Sequence, residues 1–312
     1  MLSRLKAAWS WLPVLVRAIV LGFVVLEIGS TVTFLPLLGN LKFHPEIPWA
    51  FLGTLIVLGL YAAYFSGWGP PAATREARRK YSRFLVPSGR IWGAAIPAMG
   101  FGIIALVALR LLSPSVMPVR APSIPISFSS LPLPTIIGAL LSIVVIAGVT
   151  EEMAFRGYMQ RPLEEAYGIV PAVLIVGVMF WVAHFDHGVS VTHLPFQMSA
   201  SIALGLLAYA TRSLIPAMIA HAAGDFLLVP VYFFHRPEFA WKAFSARPIW
   251  EGVPSTFSEK LLSVVSAMAP KNIFADGPLH SFAIIAWALV LSAALTVSTF
   301  VHLLRVSRSS AA

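Results

Sequence analysis

The sequence contains no cysteine and very little charge. Because cysteine is absent, disulfide bonds, thiolate catalysis and cysteine-ligated metal sites are excluded. Only 11% of the residues are Asp, Glu, Lys or Arg, well below the roughly 25% typical of soluble domains. Hydrophobic residues make up 58% of the chain, and the mean hydropathy is +0.83. A soluble domain of this length cannot bury so much apolar surface, so the composition indicates a membrane protein.

Apolar runs of about 20 residues recur along the chain, and each is long enough to cross the ~30 Å hydrocarbon core of a bilayer. The runs show no strand-like alternation, so helices are expected to form every span. We therefore predict an all-α fold, a polytopic transmembrane helix bundle with about eight spans. The predicted spans cover residues 11–37, 47–66, 91–112, 135–158, 169–186, 197–212, 214–234 and 279–304.

The spans divide into three parts of one predicted membrane domain. Residues 1–134 hold the first three spans and a connector, over 113–134, that is rich in proline and serine. Residues 135–234 hold the helices with the polar motifs described below. Residues 235–312 hold a long polar loop and the last span, and within that loop 259–269 is expected to lie on the membrane surface.

Positive charge exceeds negative charge, with 22 Lys and Arg against 13 Asp and Glu. The positive residues cluster in "ATREARRKYSRFLVPSGR", residues 73–90, between two apolar runs. The positive-inside rule accounts for this cluster better than nucleic-acid binding does, so no nucleic-acid partner is expected. With residues 67–90 in the cytoplasm, eight spans place both termini there too. We therefore expect an integral protein of the cell (plasma) membrane, with the lipid bilayer as a partner.

Three of the apolar segments carry charged or imidazole side chains. A charged side chain costs about 2.5–3.5 kcal/mol at the centre of a membrane helix, so its presence needs a reason. The polar residues form pairs four residues apart, and each pair therefore shares one helix face. The pairs are Glu152 with Arg156, Phe180 with His184, and His221 with Asp225.

Some of these residues also have a purely structural interpretation. Glu152 and Arg156 can form an intrahelical ion pair that lowers the cost of a helix end. His184 and His187 can be histidines of the membrane interface, and His193 is expected to be structural. Contacts with lipid headgroups or polar contacts between helices are further structural roles.

Glu151 and the third pair favour a functional site more strongly. No basic residue lies one turn from Glu151, and His221 with Asp225 lies well inside an apolar span. A glutamate can act as a general base on water, whereas histidines and an aspartate can orient that water, stabilise an oxyanion or hold a metal. The soluble metalloprotease motif HExxH is absent, so any metal site would combine side chains from separate helices.

Taken in order, these motifs resemble the CPBP family of intramembrane proteases, the CAAX-protease and bacteriocin-processing family that is also called Abi. Its pattern is EExxxR, then FxxxH, then HxxxN or HxxxD. The chain has "EEMAFRG" at 151–157, "FWVAH" at 180–184 and "HAAGD" at 221–225. The motif region, 135–230, is about a third of the chain. The resemblance implies a bundle of eight or so helices around a cavity, and endopeptidase activity near the membrane.

The resemblance also implies roles for the motif residues. Glu151 would activate water with help from His184. Glu152 and Arg156 would brace the site. With the turn between the two helices near 160–168, Glu151 would lie about nine residues before it and His184 about sixteen after it, a difference in depth of roughly 10 Å. We expect helix tilt, or a turn that enters the membrane, to absorb this difference.

His221 and Asp225 would stabilise the oxyanion or bind a metal. The candidate metal ligands are His184, His221 and Asp225, with zinc as the candidate ion. The family pattern allows asparagine at the last position, and an ionised aspartate cannot donate a hydrogen bond to an oxyanion. We therefore expect Asp225 to be a metal ligand or the partner that orients His221, with a protonated carboxyl group as the third option.

The predicted function is hydrolysis of a peptide bond in a membrane-associated or prenylated-type peptide by glutamate-activated water. One alternative is a non-catalytic membrane protein, such as a bacteriocin-immunity or scaffold factor. A proton-coupled transporter is another, because the same side chains can relay protons. Transporters are often built from repeated halves, and the sequence shows no such repeat. The complete motif set also disfavours the immunity role.

Overall fold

The computed structural model describes residues 9, 11–116, 131–184, 193–234 and 278–309, and this part of the chain contains helices but no strand. The all-α prediction is confirmed for these residues. The helices are α1 (Val14–Thr33), α2 (Leu35–Phe43), α3 (Ala50–Phe65), α4 (Arg75–Ser82), α5 (Gly89–Val116), α6 (Leu133–Glu151), α7 (Gln160–Tyr167), α8 (Ile169–Val182), α9 (Leu194–Thr211), α10 (Ile215–Phe234) and α11 (Pro278–Ser309). A 3-10 turn, Ala72–Thr74, precedes α4, and a π-helix, Glu152–Met159, joins α6 to α7.

Five helical stretches of the described chain are long and apolar enough to cross a membrane. They are Val14–Phe43, Gly89–Leu112, Pro134–Tyr167, Leu194–Thr211 and Ile284–Ser309. The shorter apolar helices Ala50–Phe65, Ile169–Val182 and Ile215–Leu228 lie at the positions of the three other predicted spans. The protein is therefore an integral membrane helix bundle, but these lengths do not confirm the predicted count of eight spans.

The span count has a direct test, because the chain has no native cysteine. Trp11, before α1, is 89% exposed, and Glu76 in α4 is also exposed. With eight spans, both α1–α2 and α3 cross the bilayer, so Trp11→Cys and Glu76→Cys are expected to react with an impermeant maleimide from the same, cytoplasmic side. Labelling from opposite sides of the membrane would show that α3 does not cross.

Several sequence predictions lie outside the described residues. They concern the middle of the connector (117–130), His187, and the polar loop with its proposed surface segment at 259–269. These remain predictions, as does the division of the chain into three parts.

The helices that carry the motifs pack unusually closely at Gly148 in α6. A Cβ atom at this position would lie 2.9 Å from the Met218 carbonyl oxygen and 2.9 Å from the Ala222 Cβ of α10. Contacts this short are not tolerated, so only glycine lets the two helix backbones approach to this distance. The close approach brings the end of α6, with Glu151, beside the face of α10 that carries His221.

A buried polar network ties α4 to the motif-bearing helices. Arg83, just after α4, is 6% exposed, and its guanidinium forms an ion pair with Glu164 of α7. Its carbonyl accepts a hydrogen bond from the Leu214 N–H, at 3.2 Å, where α10 begins. Gln160 donates to Glu164 at 2.6 Å and to the Gly205 carbonyl of α9 at 2.9 Å. Burial lowers the pKa of the Arg83 guanidinium, and the Glu164 carboxylate opposes that shift.

Candidate active site

The helical hairpin formed by α6, the π-helix, α7 and α8 brings Glu151 and His184 to the same depth. The chain reverses at Gly168, which has a φ of 83°, a conformation that favours glycine. Glu151 precedes this turn by 17 residues (168 − 151) and His184 follows it by 16 (184 − 168). The predicted difference of roughly 10 Å between the depths of Glu151 and His184 was wrong. The chain reverses at Gly168, which is the last residue of the predicted turn, 160–168. The Glu151 Oε2 lies 3.9 Å from the His184 Nε2.

The segment that follows Glu151 is a π-helix, where the sequence predicted an ordinary helix. The Gln160 N–H bonds to the Phe155 carbonyl, five residues earlier, which is the π-helical pattern. All eight residues from Glu152 to Met159 are buried. π-helical turns within α-helices are frequent at functional sites, and this one begins directly after the candidate base.

Glu152 and Arg156 form the fully buried centre of the site, and both side chains are 0% exposed. The Arg156 Nη1 lies 2.8 Å from the Glu152 Oε1, and its Nη2 donates to the Ser201 carbonyl of α9 at 3.2 Å. The same Glu152 Oε1 lies 2.7 Å from the Nδ1 of His221. Glu152 and Arg156 therefore connect the π-helix to both α9 and α10.

The two histidines turn the same ring nitrogen toward Glu151. The His184 Nδ1 lies 2.7 Å from the Phe180 carbonyl, which can only accept a hydrogen bond, so this nitrogen carries a hydrogen. The His221 Nδ1 likewise faces the Glu152 carboxylate, at 2.7 Å. The Nε2 atoms of both rings lie 3.9 Å from the Glu151 Oε2. This oxygen is buried and makes no hydrogen bond to the described residues.

Asp225 lies on the more open side of the cluster. Its side chain is 38% exposed, and its Oδ2 is 3.5 Å from the His221 Nε2. Glu152 makes the shorter contact, on the other ring nitrogen of His221. Glu152 therefore makes the orienting contact with the ring, whereas the Asp225 carboxyl group lies beside the nitrogen that faces Glu151.

The ring of Phe180 packs against three of the polar groups. Its centroid lies 4.6 Å from the His184 ring, 6.1 Å from the His221 ring and 4.8 Å from the Arg156 Cζ. An aromatic face stabilises a nearby cation, and its apolar surface excludes water from one side of the site. The sequence identified Phe180 only through its spacing from His184.

Polar groups of three residues were missed in the sequence. The Ser201 carbonyl, which binds Arg156, carries no signal because every residue has a backbone carbonyl. Gln160 and Glu164 did carry a signal, since they continue the four-residue spacing of Glu152 and Arg156 along the same helical segment. A polar residue at every fourth position of an otherwise apolar helix predicts a polar network along one face.

The metal hypothesis receives no support from this geometry. Among the residues that the structure describes, no group of three or more His, Asp or Glu side chains is arranged to hold a metal ion. Of the candidate ligands, the His221 Nε2 lies 3.5 Å from the Asp225 Oδ2, and the His184 Nε2 lies 3.9 Å from the Glu151 Oε2.

Comparison with known proteins supports the family expected from the motifs. Residues 133–227 match the family model described as Type II CAAX prenyl endopeptidase Rce1-like. The match covers 95 residues (227 − 133 + 1), which include all six candidate site residues. No match was found among curated proteins or among solved structures. Residues 133–227 thus form an Rce1-like domain of the CAAX protease family, within an integral membrane protein.

Proposed function

We propose that the protein is a membrane-embedded endopeptidase in which Glu151 activates a water molecule. One observation carries this proposal. The Glu151 Oε2 lies 3.9 Å from the Nε2 of both His184 and His221, and an acceptor on the other nitrogen orients each ring. The Rce1-like domain supports a peptidase of this class. The Glu151 side chain as a whole is 19% exposed.

In the proposed reaction, the Glu151 carboxylate takes a proton from water while the water oxygen attacks the carbonyl carbon of the scissile peptide bond. A carbon–oxygen bond forms, and the carbonyl electron pair moves onto its oxygen. When this oxyanion collapses, the carbonyl forms again and the carbon–nitrogen bond breaks. The proton held by Glu151 passes to the departing amine, which returns the carboxylate to its starting state.

His221 is the proposed stabiliser of the oxyanion. Its Nδ1 is bound to Glu152, so the Nε2 is the nitrogen that can donate to a substrate, provided that the ring is an imidazolium. The carboxylates of Glu152 and Asp225 lie on the two sides of the ring and stabilise that cation. The proposed role of His184 is to assist Glu151 by contacting the same water.

Asp225→Asn tests the role of the aspartate charge. As the charge partner of the His221 imidazolium, Asp225 is expected to contribute about tenfold to kcat, which corresponds to about 1.4 kcal/mol. Peptide cleavage by the purified variant should therefore fall by this factor, both with and without a chelator. Zinc ligation instead predicts a larger loss that added zinc partly restores. Unchanged, chelator-insensitive activity would exclude both roles and leave a protonated Asp225 as a hydrogen-bond donor.

The proposed substrate is a peptide segment held at the membrane, of the membrane-associated or prenylated type. The family description names a CAAX prenyl endopeptidase, and the basic residues between α3 and α5 favour a cytoplasmic location for that end of the bundle. We propose that both termini share this side.

A comparison of the cleavage products in the membranes of expressing cells tests the proposed function. New peptide N-termini would be quantified in membranes of cells that express the wild type, Glu151→Ala or the exposed α4 variant Glu76→Ala. We expect a defined set of membrane-protein fragments with the wild type and Glu76→Ala, and its loss with Glu151→Ala. Identical fragments from all three strains would favour a non-catalytic scaffold or immunity protein.

A further inference from the structure

A cavity of about 300 Å³ lies between α1, α4 and α7, away from the candidate active site. Its lining includes Trp9 and Arg17 from the N-terminal part, Tyr81 from α4, and Pro162 and Glu165 from α7. Pro162 follows Glu151 by 11 residues (162 − 151) along one continuous helical segment. Most of this segment is π-helical, so Pro162 lies more than two helical turns beyond Glu151, and the proposed peptidase reaction does not use the cavity.

Arg17 gives the cavity an unbalanced positive charge. Its Nε is buried without a hydrogen-bond partner, and no ion pair joins its guanidinium to another residue of the described chain. The acidic residue in the lining does not compensate, because two cations already hold it. The Glu165 Oε2 lies 2.8 Å from the Lys80 Nζ, and its Oε1 lies 2.9 Å from the Arg161 Nε. Arg17 as a whole is partly exposed, and a guanidinium with unpaired donors in the wall of a cavity is a site for an anion.

The cavity lies at the level where a membrane helix begins. Arg17 is the fourth residue of α1, at the start of the candidate span Val14–Phe43. Aromatic residues and arginines concentrate at the membrane–water interface, where lipid headgroups are found. Toward the membrane interior, Val20 and Val24 of the same helix are 40% and 47% exposed. These exposed valines offer an apolar surface to acyl chains directly beyond the charged cavity.

We propose that this cavity binds the phosphate headgroup of an anionic phospholipid, with Arg17 as the phosphate ligand. The guanidinium matches a phosphate in bidentate geometry, and the neighbouring valines contact the acyl chains. Inorganic phosphate shares the anionic chemistry but has no chains to place on that apolar face. The bound lipid would join α1 to α4 and α7. This proposal does not depend on whether the protein is a peptidase.

The test titrates the purified full-length protein, cleared of lipid in detergent, with dioleoylphosphatidylglycerol and follows the first bound lipid by native mass spectrometry. Dioleoylphosphatidylcholine, which has the same chains and no net charge, is the comparison ligand. We expect the wild type to bind the anionic lipid about tenfold more tightly, and Arg17→Gln to lose this preference. Arg90→Gln, which removes an exposed arginine from the first turn of α5, should keep it.

A second variant separates lipid binding from folding. Ala166 lines the cavity and is exposed, so Ala166→Trp should fill the cavity and abolish the preference while every charge remains. Equal binding of the two lipids by the wild type, or equal losses in Arg17→Gln and Arg90→Gln, would overturn the proposal. Displacement of the lipid by millimolar inorganic phosphate would show that the cavity takes free phosphate instead of a headgroup.

Discussion

Replacing Glu151 with glutamine is expected to leave a folded, membrane-inserted protein that no longer hydrolyses peptides. An amide has nearly the shape of a carboxylate but cannot take a proton from water at neutral pH. General bases contribute about 10²- to 10⁴-fold to hydrolysis, so kcat should fall by at least about a hundredfold. The Glu151 Oε2 makes no hydrogen bond to the described residues, so the melting temperature should change little. Cleavage of a peptide substrate and thermal unfolding in detergent measure the two effects.

Glu76→Gln is the matched control for this substitution, because Glu76 is exposed on α4 and is not part of the cluster around Glu151. It should keep wild-type activity and stability. Activity of Glu151→Gln at a tenth of the wild-type level or more would exclude Glu151 as the general base. A large fall in its melting temperature would mean that the loss of activity reports folding instead of chemistry.

Replacing Arg156 with alanine is expected to destabilise the protein and to abolish most of its activity. The substitution leaves the Glu152 carboxylate, which is 0% exposed, without its arginine partner and with the contact to His221. Removing one member of a buried pair costs about 3–5 kcal/mol, and the remaining contact with His221 favours the lower end of this range. The substitution also removes the bond from Arg156 to the Ser201 carbonyl and the contact with the Phe180 ring. The free energy of unfolding and the expression level should both fall.

A double variant separates the charge of this pair from its role in the site. Arg156→Met with Glu152→Gln removes both charges and keeps similar side-chain volumes, so it should recover much of the lost stability. Activity should stay low, because His221 then faces a neutral amide instead of the carboxylate at 2.7 Å. A stable and fully active Arg156→Ala would show that Arg156 does not brace the site.

The contacts within one helix could be predicted from the sequence. A spacing of four residues places two side chains on one face, and the structure shows Glu152 contacting Arg156 at 2.8 Å and His221 contacting Asp225 at 3.5 Å. These contacts depend only on local helix geometry. The fold class was predictable for a similar reason, because hydrocarbon admits few structures other than helices.

The contacts between helices could not be predicted in the same way. The depth of Glu151 relative to His184 depends on the residue at which the chain turns back. This residue is Gly168, the last of the predicted turn 160–168. The bond between Glu152 and His221 joins residues 69 positions apart, and it requires the close approach of α6 and α10 at Gly148. The π-helix could not be predicted either, because helix propensity does not distinguish it from an ordinary helix.

The most direct test of glutamate-activated water is a single turnover in water labelled with oxygen-18. The purified protein, in excess over a peptide identified from the membrane comparison, would cleave it once, and mass spectrometry would read the new carboxyl group. If Glu151 acts as a general base, the attacking oxygen comes from water, so the product should carry one oxygen-18 and Glu151 none. An unlabelled product carboxyl, with oxygen-18 in the Glu151 side chain, would show that Glu151 attacks the peptide directly and would contradict the account.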